Sequence, residues 1–154
     1  MGVFIGLKLS KNDLLKIQKL QKEIDLPNPV DAQKIHCTLF ISPDDFNYCG
    51  NNFSPIDIDI SQLRLGKIKT QQGVDCLALF FHSPNLIEKH TDIKETYRVN
   101  HLYEDFKPHI TLSYDCGPFQ HEHIQLAQFL DKIVFDKQFQ ESTYFTKERR
   151  RKIR

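Results

Sequence analysis

The chain has 154 residues, of which 40% are hydrophobic and 27% charged, a composition that fits one globular domain and excludes a disordered chain. No apolar run approaches the roughly 20 residues that cross a bilayer, and no basic, then apolar N-terminal region marks a secretory signal. The net charge is +1, yet residues 147–154 hold six basic residues and one acid, so the remainder is mildly acidic. We therefore predict a cytoplasmic protein without membrane contact, with a single domain over 1–146 and a basic C-terminal tail over 147–154.

The first half of the chain predicts a strand, a helix and a second strand. Residues 3–9 are rich in β-formers. Ser10 is a suitable N-cap for the helix that follows, in which apolar residues recur every three or four positions, and Pro27 ends it. Residues 35–41 predict the second strand, and the polar residues 43–54 predict a loop.

The second half of the chain alternates between strand and helix patterns in a similar way. The Ser83-Pro84 pair predicts the start of a helix, because serine caps helices and proline favours their first position. The face of this helix includes Leu86, His90, Ile93 and Tyr97. Alternation, β-propensity and turn signals delimit the other elements. We predict strands over 56–60, 63–69, 74–81, 107–114 and 132–145, and a short helix over 121–131.

A unit of strand, helix and strand occurs twice, and each copy ends in the motif His-x-Thr-Leu. The units span 3–39 and 74–112, and the motif histidine follows the start of its unit by 33 and 35 residues. Two units that agree in element order, length and motif indicate an internal duplication. We therefore predict an α+β, bilobal, pseudo-twofold fold, in which two antiparallel-rich sheets flanked by helices enclose a central cleft.

The two motifs place matching side chains on one face of each strand. His36 and Thr38 are two residues apart and point the same way, as do His109 and Thr111. If the two strands are neighbours in the fold, the two imidazoles and the two hydroxyls lie close together in one cleft. One histidine can then accept a proton while the other donates one, and the hydroxyls can bind phosphate oxygens. The pattern predicts phosphoryl transfer, with all four residues catalytic.

Metal chemistry fits the sequence less well. Two histidines without a carboxylate or cysteine on the same face fall short of the three protein ligands usual in catalytic zinc sites. The four cysteines form no C-x-x-C motif, and without a secretory signal a disulfide framework is not expected. We predict no metal and no cofactor.

The segments 36–39 (His-Cys-Thr-Leu) and 109–112 (His-Ile-Thr-Leu) resemble the paired signatures of the two-histidine (2H) phosphoesterase superfamily. The resemblance covers nearly the whole chain. It implies the bilobal 2H phosphoesterase fold and metal-independent cleavage that involves a ribose 2′-hydroxyl or a 2′,3′-cyclic phosphate. Within the superfamily, residues 4–10, 26–29 and 109–114 are similar to the phage anti-CBASS phosphodiesterases, which destroy cyclic oligonucleotide signals.

Three further residues are candidates for substrate binding. Phe4 lies on the first strand, where the resemblance implies an aromatic ring that stacks on a nucleobase, although a strand phenylalanine can equally belong to the core. Lys107 lies two residues before His109, on the same face, and can attract a phosphate or remain a solvated lysine. Glu141 lies in the last strand region and can accept a hydrogen bond from a base amine.

The resulting prediction is a metal-independent hydrolase that cleaves 3′–5′ bonds of cyclic di- or oligonucleotide second messengers and so counters bacterial CBASS signalling. If a phage encodes it, the host cytoplasm is its site of action. One alternative is a 2′,3′-cyclic phosphodiesterase that acts on RNA ends, which the basic tail would help to bind. A second alternative is a nucleotide-binding module without turnover. Nothing in the sequence indicates an obligate protein partner.

Overall fold

A computed structural model describes residues 2–50, 53–103 and 105–143. The predicted tail over 147–154 and the last positions of the predicted domain lie outside the described residues, so the boundary at residue 146 stays a prediction. The regular elements follow one another in this order: β1 (Gly2–Leu9), α1 (Lys11–Glu23), β2 (Cys37–Ser42), β3 (Ile56–Asp59), β4 (Leu63–Lys69), β5 (Asp75–Phe81), α2 (Pro84–Tyr97), β6 (His109–Ser113) and β7 (Lys132–Thr143).

The described strands form one seven-stranded antiparallel sheet in the order β3-β7-β1-β2-β6-β5-β4. The order β7-β1-β2 is mirrored by β4-β5-β6 about the centre. We call β3, β7, β1, β2 and α1 the first lobe, and β6, β5, β4 and α2 the second lobe. The pseudo-twofold α+β fold predicted from the duplicated unit is therefore confirmed.

The two sheets that we predicted are joined into one. The joint between β2 and β6 is short, since a single residue pair, Cys37 opposite Ile110, is in register there. The segment that follows α1 adds to this joint, because Val30 N donates to Leu112 O at 2.9 Å. A joint of this kind cannot be read from strand patterns, because it depends on how the two lobes dock.

Side-chain caps start both helices at the predicted residues. Ser10 Oγ accepts a hydrogen bond from Asp13 N at 3.2 Å, and Ser83 Oγ accepts one from Leu86 N at 3.3 Å. The Asp13 carboxylate also accepts from Val134 N at 2.7 Å, which ties the start of α1 to β7. Each cap satisfies an amide that the helix itself leaves unpaired.

The core lies between the helices and one face of the sheet. Alternating strand residues such as Leu7, Leu39 and Ile110 are fully buried there, and they belong to the same apolar cluster as Ile17 of α1 and Leu86 of α2. Because strand side chains alternate between faces, the intervening residues point to the opposite face of the sheet. That opposite face carries both motifs.

The helix predicted over 121–131 is wrong. The structure has only a three-residue 3₁₀ turn there, Leu126–Gln128, which ends where Leu130 N donates to Leu126 O at 2.9 Å. The segment instead bonds to its neighbours, and Asp131 O accepts from Ile60 N at 3.0 Å. Within the segment, Ile124 N donates to His121 O, three residues back, so the chain makes separate turns in place of the regular four-residue bonds of an α-helix.

Candidate active site

The motif side chains lie as the strand alternation predicts. Thr38 and Thr111 are half-buried, and so are His36, directly before β2, and His109, the first residue of β6. The residues between them, including Ile110, are buried in the core. We call the side of the sheet that carries the four motif side chains the motif face.

The register between β2 and β6 sets the four side chains in a two-by-two block. Cys37 lies opposite Ile110 in an antiparallel pair. Continued by one residue to either side, this antiparallel register places His36 opposite Thr111 and Thr38 opposite His109. Each histidine is thus beside the threonine of the other motif.

Both histidines are held by the same hydrogen bond. His36 Nδ1 lies 2.7 Å from Lys34 O, and His109 Nδ1 lies 2.8 Å from Lys107 O. A carbonyl can only accept, so Nδ1 carries the hydrogen in both rings. The Nε2 atoms are consequently the nitrogens that can exchange protons with a ligand.

Two phenylalanines surround His36. The ring centroid of Phe4 lies 5.5 Å from that of His36, and the centroid of Phe139 lies 6.2 Å away, both in edge-on orientation. Gly6 pairs with Phe139 across β1 and β7, and a Cβ at Gly6 would lie 2.4 Å from the Phe139 ring. Glycine is required here, because only its bare backbone lets the Phe139 ring lie across β1.

Burial lowers the pKa of His36 below the usual value for histidine. The nearby groups of Lys8 and His109 lower it further, while the bond to a backbone carbonyl and the carboxylate of Glu141 oppose them. Lys8 Nζ lies 5.1 Å from the centroid of Phe139 and donates to Gln33 O at 2.6 Å. His36 is therefore predominantly neutral at pH 7.

The second lobe holds a matching arrangement. Phe80 lies opposite His109 in register, with its ring centroid 5.5 Å from the imidazole. Arg64 of β4 lies opposite Phe80 in turn, and its guanidinium carbon lies 4.8 Å from the centroid of the Phe80 ring. Gly66 leaves room for this ring, since a Cβ there would lie 3.0 Å from it. Each lobe thus combines a glycine, a phenylalanine, a cation and a motif histidine.

The three predicted substrate-binding residues occupy different surroundings. Phe4 contacts His36, and Glu141 pairs with Phe4 across β1 and β7 on the motif face. Lys107 supplies its backbone carbonyl to His109, while its side chain is exposed. Their roles in binding stay predictions.

The sequence prediction missed Phe139, Phe80, Lys8 and Arg64. Each reaches a motif histidine, directly or through one ring, by strand pairings that include at least one between strands distant in sequence. One usable signal was present, because a glycine inside a strand pattern often marks a close approach of another group. Gly6 is such a glycine.

Two histidines outside the motifs bond to the backbone of β2. His90 Nδ1 lies 2.7 Å from Leu39 O, and Ile41 N donates to His101 Nδ1 at 3.2 Å. Burial, together with the neighbouring His90, lowers the pKa of His101 to about 3. His90 also lines a cavity of about 610 Å³ along the end of α2, which includes no motif residue.

Other features of the described residues bear on cofactors and membranes. All four cysteines are free thiols. Within the described ranges, no three His, Cys, Asp or Glu side chains gather as a metal-binding group. No described helix has the length and hydropathy needed to span a bilayer.

Comparisons with known proteins agree with this architecture. The family described as "Anti-CBASS protein Acb1" matches residues 1–148. The chain is 33% identical to Acb1 of Salmonella phage S16 and 31% identical to Acb1 of Enterobacteria phage T4. Each match covers 132 residues, which are 85% of this chain and 84% of the relative. Among solved structures, it resembles Escherichia coli LigT complexed with phosphate (TM-score 0.62, 15% identity, 94% of this chain and 88% of that one). It also resembles TT0787 of Thermus thermophilus (TM-score 0.53, 15% identity, 91% and 84% covered).

Proposed function

The chain belongs to the Acb1 family of phage anti-CBASS proteins, and on this premise we propose that it cleaves the 3′–5′ bonds of cyclic di- or oligonucleotides. The observation that carries this proposal is the two-by-two block of His36, Thr38, His109 and Thr111 on the motif face. Opening the ring would remove the signal and so counter CBASS. The reaction would take place in the cytoplasm of the infected bacterium.

The first step that we propose is attack by a ribose 2′-hydroxyl on the adjacent phosphorus. His36 suits the general base, because its lowered pKa keeps Nε2 unprotonated and able to take the hydroxyl proton. The new bond joins O2′ to phosphorus, and the bond from phosphorus to O5′ breaks. His109 donates the proton that the departing O5′ needs. The products are a 2′,3′-cyclic phosphate and a 5′-hydroxyl on one linear chain.

Thr38 and Thr111 would bind the non-bridging phosphate oxygens. Each threonine faces the histidine of the other motif, so a phosphate held by both hydroxyls would lie between base and acid. Donors placed there before reaction stabilise the negative charge that develops on those oxygens. The phosphate in the similarly folded LigT structure supports a phosphate ligand for this fold.

We propose that the reaction needs neither metal nor cofactor. The acid and the base are both side chains, and the nucleophile is a hydroxyl that the substrate itself holds next to phosphorus. Such intramolecular positioning can replace about 7–11 kcal/mol of a barrier in favourable cases. Phe4 and Glu141 flank His36 and are the residues we expect to contact a nucleobase, by stacking and by a hydrogen bond.

The decisive experiment incubates the protein with a 3′,3′-cyclic dinucleotide in EDTA and follows ring opening by chromatography. We expect cleavage by the unchanged protein and a loss of about 10²–10⁴-fold in kcat for His36→Ala and for His109→Ala. The 2′-deoxy analogue should bind without being cleaved. Binding without turnover by the unchanged protein would instead indicate a nucleotide-binding module.

A parallel assay with RNA that ends in a 2′,3′-cyclic phosphate tests the alternative substrate. We expect slower turnover of this RNA than of the cyclic dinucleotide. Faster opening of the RNA end would contradict the proposed substrate class and would identify an RNA-end phosphodiesterase. Retained turnover in the His36→Ala, His109→Ala double variant would refute the roles of both histidines.

A further inference from the structure

A row of side chains leads across the second lobe away from the acid–base pair. His109, Phe80 and Arg64 lie opposite one another on β6, β5 and β4 and share the motif face. The guanidinium carbon of Arg64 lies 4.8 Å from the centroid of Phe80, which itself lies 5.5 Å from the His109 ring. A cation is thus held about two strand spacings, or roughly 10 Å, from the backbone of His109.

Arg64 has an exposed side chain that a ligand can reach. Among the described residues, no carboxylate lies within 4.0 Å of its guanidinium. Its packing on Phe80 fixes the group through a cation–π contact and leaves N–H donors free to bind a ligand. A planar fork of this kind matches two oxygens of a phosphate.

The proposed substrate supplies such an anion. A cyclic dinucleotide carries two phosphates, and when one lies in the block of His36 and His109, the other lies one nucleotide away. Lys8 is less suited to the second phosphate, because its Nζ already donates to Gln33 O and its charge acts directly on His36. We propose that Arg64, held by Phe80, binds the second, non-scissile phosphate of the cyclic dinucleotide.

This inference rests on the proposed function for the identity of the ligand. It assigns Arg64 to substrate specificity, because a ligand with only one phosphate gains nothing from it. A charge-assisted hydrogen bond contributes enough to change affinity by about 10- to 100-fold. Loss of this hydrogen bond should therefore raise both Kd and KM for the cyclic dinucleotide. The value of kcat should change little, since the acid–base pair is untouched.

The test compares Arg64→Gln with the unchanged protein. We expect KM for the cyclic dinucleotide, and Kd for its non-cleavable 2′-deoxy analogue by calorimetry, to rise by about 10-fold or more. The non-cleavable competitor d(ApA) has one phosphate, and its inhibition constant should stay within about twofold. Arg64→Lys should recover part of the affinity, because it restores charge without the planar fork.

Lys89→Gln is the matched control. Lys89 Nζ lies 5.5 Å from the centroid of Phe53. This variant therefore removes a cation–π contact like that of Arg64 with Phe80, but one that involves no motif residue. Its KM and kcat should equal those of the unchanged protein. An unchanged KM in Arg64→Gln, or an equal loss for both ligands, would overturn the inference.

The outcomes also separate this inference from the proposed function. Absence of ring opening by the unchanged protein would contradict the proposed function alone, since binding of the 2′-deoxy analogue still reports on Arg64. Ring opening with no specific effect of Arg64→Gln would contradict the inference alone. Absence of binding by the unchanged protein would overturn both.

Discussion

Replacing Gly6 by alanine should disable the first lobe of the site without touching a motif residue. The added Cβ would lie 2.4 and 2.5 Å from two ring carbons of Phe139 and 3.0 Å from the ring of Phe4. Both rings pack against His36. We therefore expect Gly6→Ala to act on catalysis through the aromatic rings that surround this histidine.

The size of the effect follows from these distances. Ordinary contact of a Cβ with a neighbouring atom begins near 3.4 Å, so the Phe139 ring must move by about 1 Å. A displacement of about 1 Å in a positioned catalytic group can cost about 10²-fold in rate. Overpacking also costs about 1–3 kcal/mol of stability, partly offset because alanine favours a strand over glycine by roughly 0.5–1 kcal/mol. We expect kcat to fall about 100-fold in a folded protein.

Steady-state kinetics on the cyclic dinucleotide, with thermal unfolding as a control for folding, would measure this effect. Gly66→Ala is the matched variant, because its Cβ would lie 3.0 Å from the Phe80 ring and needs a shift of only a few tenths of an ångström. Its kcat should fall less than about 10-fold. The Gly6→Ala, Phe139→Ala double variant should be less than about 10-fold worse than Phe139→Ala, since the clash with the Phe139 ring is gone and only the milder contact with Phe4 at 3.0 Å is left. Full activity of folded Gly6→Ala, or additive losses in the double variant, would refute the reasoning.

Three other expectations follow from the structure. Activity should survive EDTA and show a bell-shaped pH profile, because the acid and the base that we propose are both histidines, which must act in opposite protonation states; a requirement for added metal would contradict this. The free energy of unfolding should fall as the pH drops below about 6.5, because His101 binds a proton near that pH in the unfolded chain but only near pH 3 in the folded protein. Calorimetric unfolding should show that His101 accounts for a loss of about 2 kcal/mol by pH 5, which the His101→Gln variant lacks. Gln21→Leu should cost about 1–3 kcal/mol in denaturant unfolding, because Gln21 Nε2 bonds two buried carbonyls, of Val30 and Leu112; an unchanged midpoint would exclude this role.

Local patterns were sufficient to predict the motif face but not its surroundings. The alternation around His36 and His109, repeated in two units of similar length, determined which side chains share a face. Phe139 reaches His36 only because β7 pairs with β1 in a register that sets it opposite Gly6. Arg64 reaches the row of His109 through two successive strand pairings. Register between strands distant in sequence is a tertiary property, and no local period encodes it.

The limits of local sequence patterns also explain why the helix predicted over 121–131 is wrong. Residues 121–131 have helix-compatible spacing, yet Asp131 binds both Ile60 N through its carbonyl and Lys16 Nζ through its carboxylate, the latter at 3.0 Å. These bonds fix the end of the segment to residues far away in sequence, while the residues before it form short turns with bonds between residues three apart. Propensity is a weak prior where tertiary bonds of this kind are available.

A pseudo-symmetric pair of histidines can perform acid–base chemistry only if something breaks the symmetry. Both rings share the same Nδ1 bond, but the cation of the first lobe, Lys8, acts directly on His36, whereas Arg64 lies beyond the ring of Phe80. Lys8→Gln should therefore raise the pKa of His36. Because a base must be deprotonated to act, the acidic limb of the pH–rate profile should move to higher pH, while Lys8→Arg should leave it in place. An acidic limb unmoved in Lys8→Gln would show that Lys8 does not set the protonation of His36, and that burial between Phe4 and Phe139 alone keeps the ring neutral.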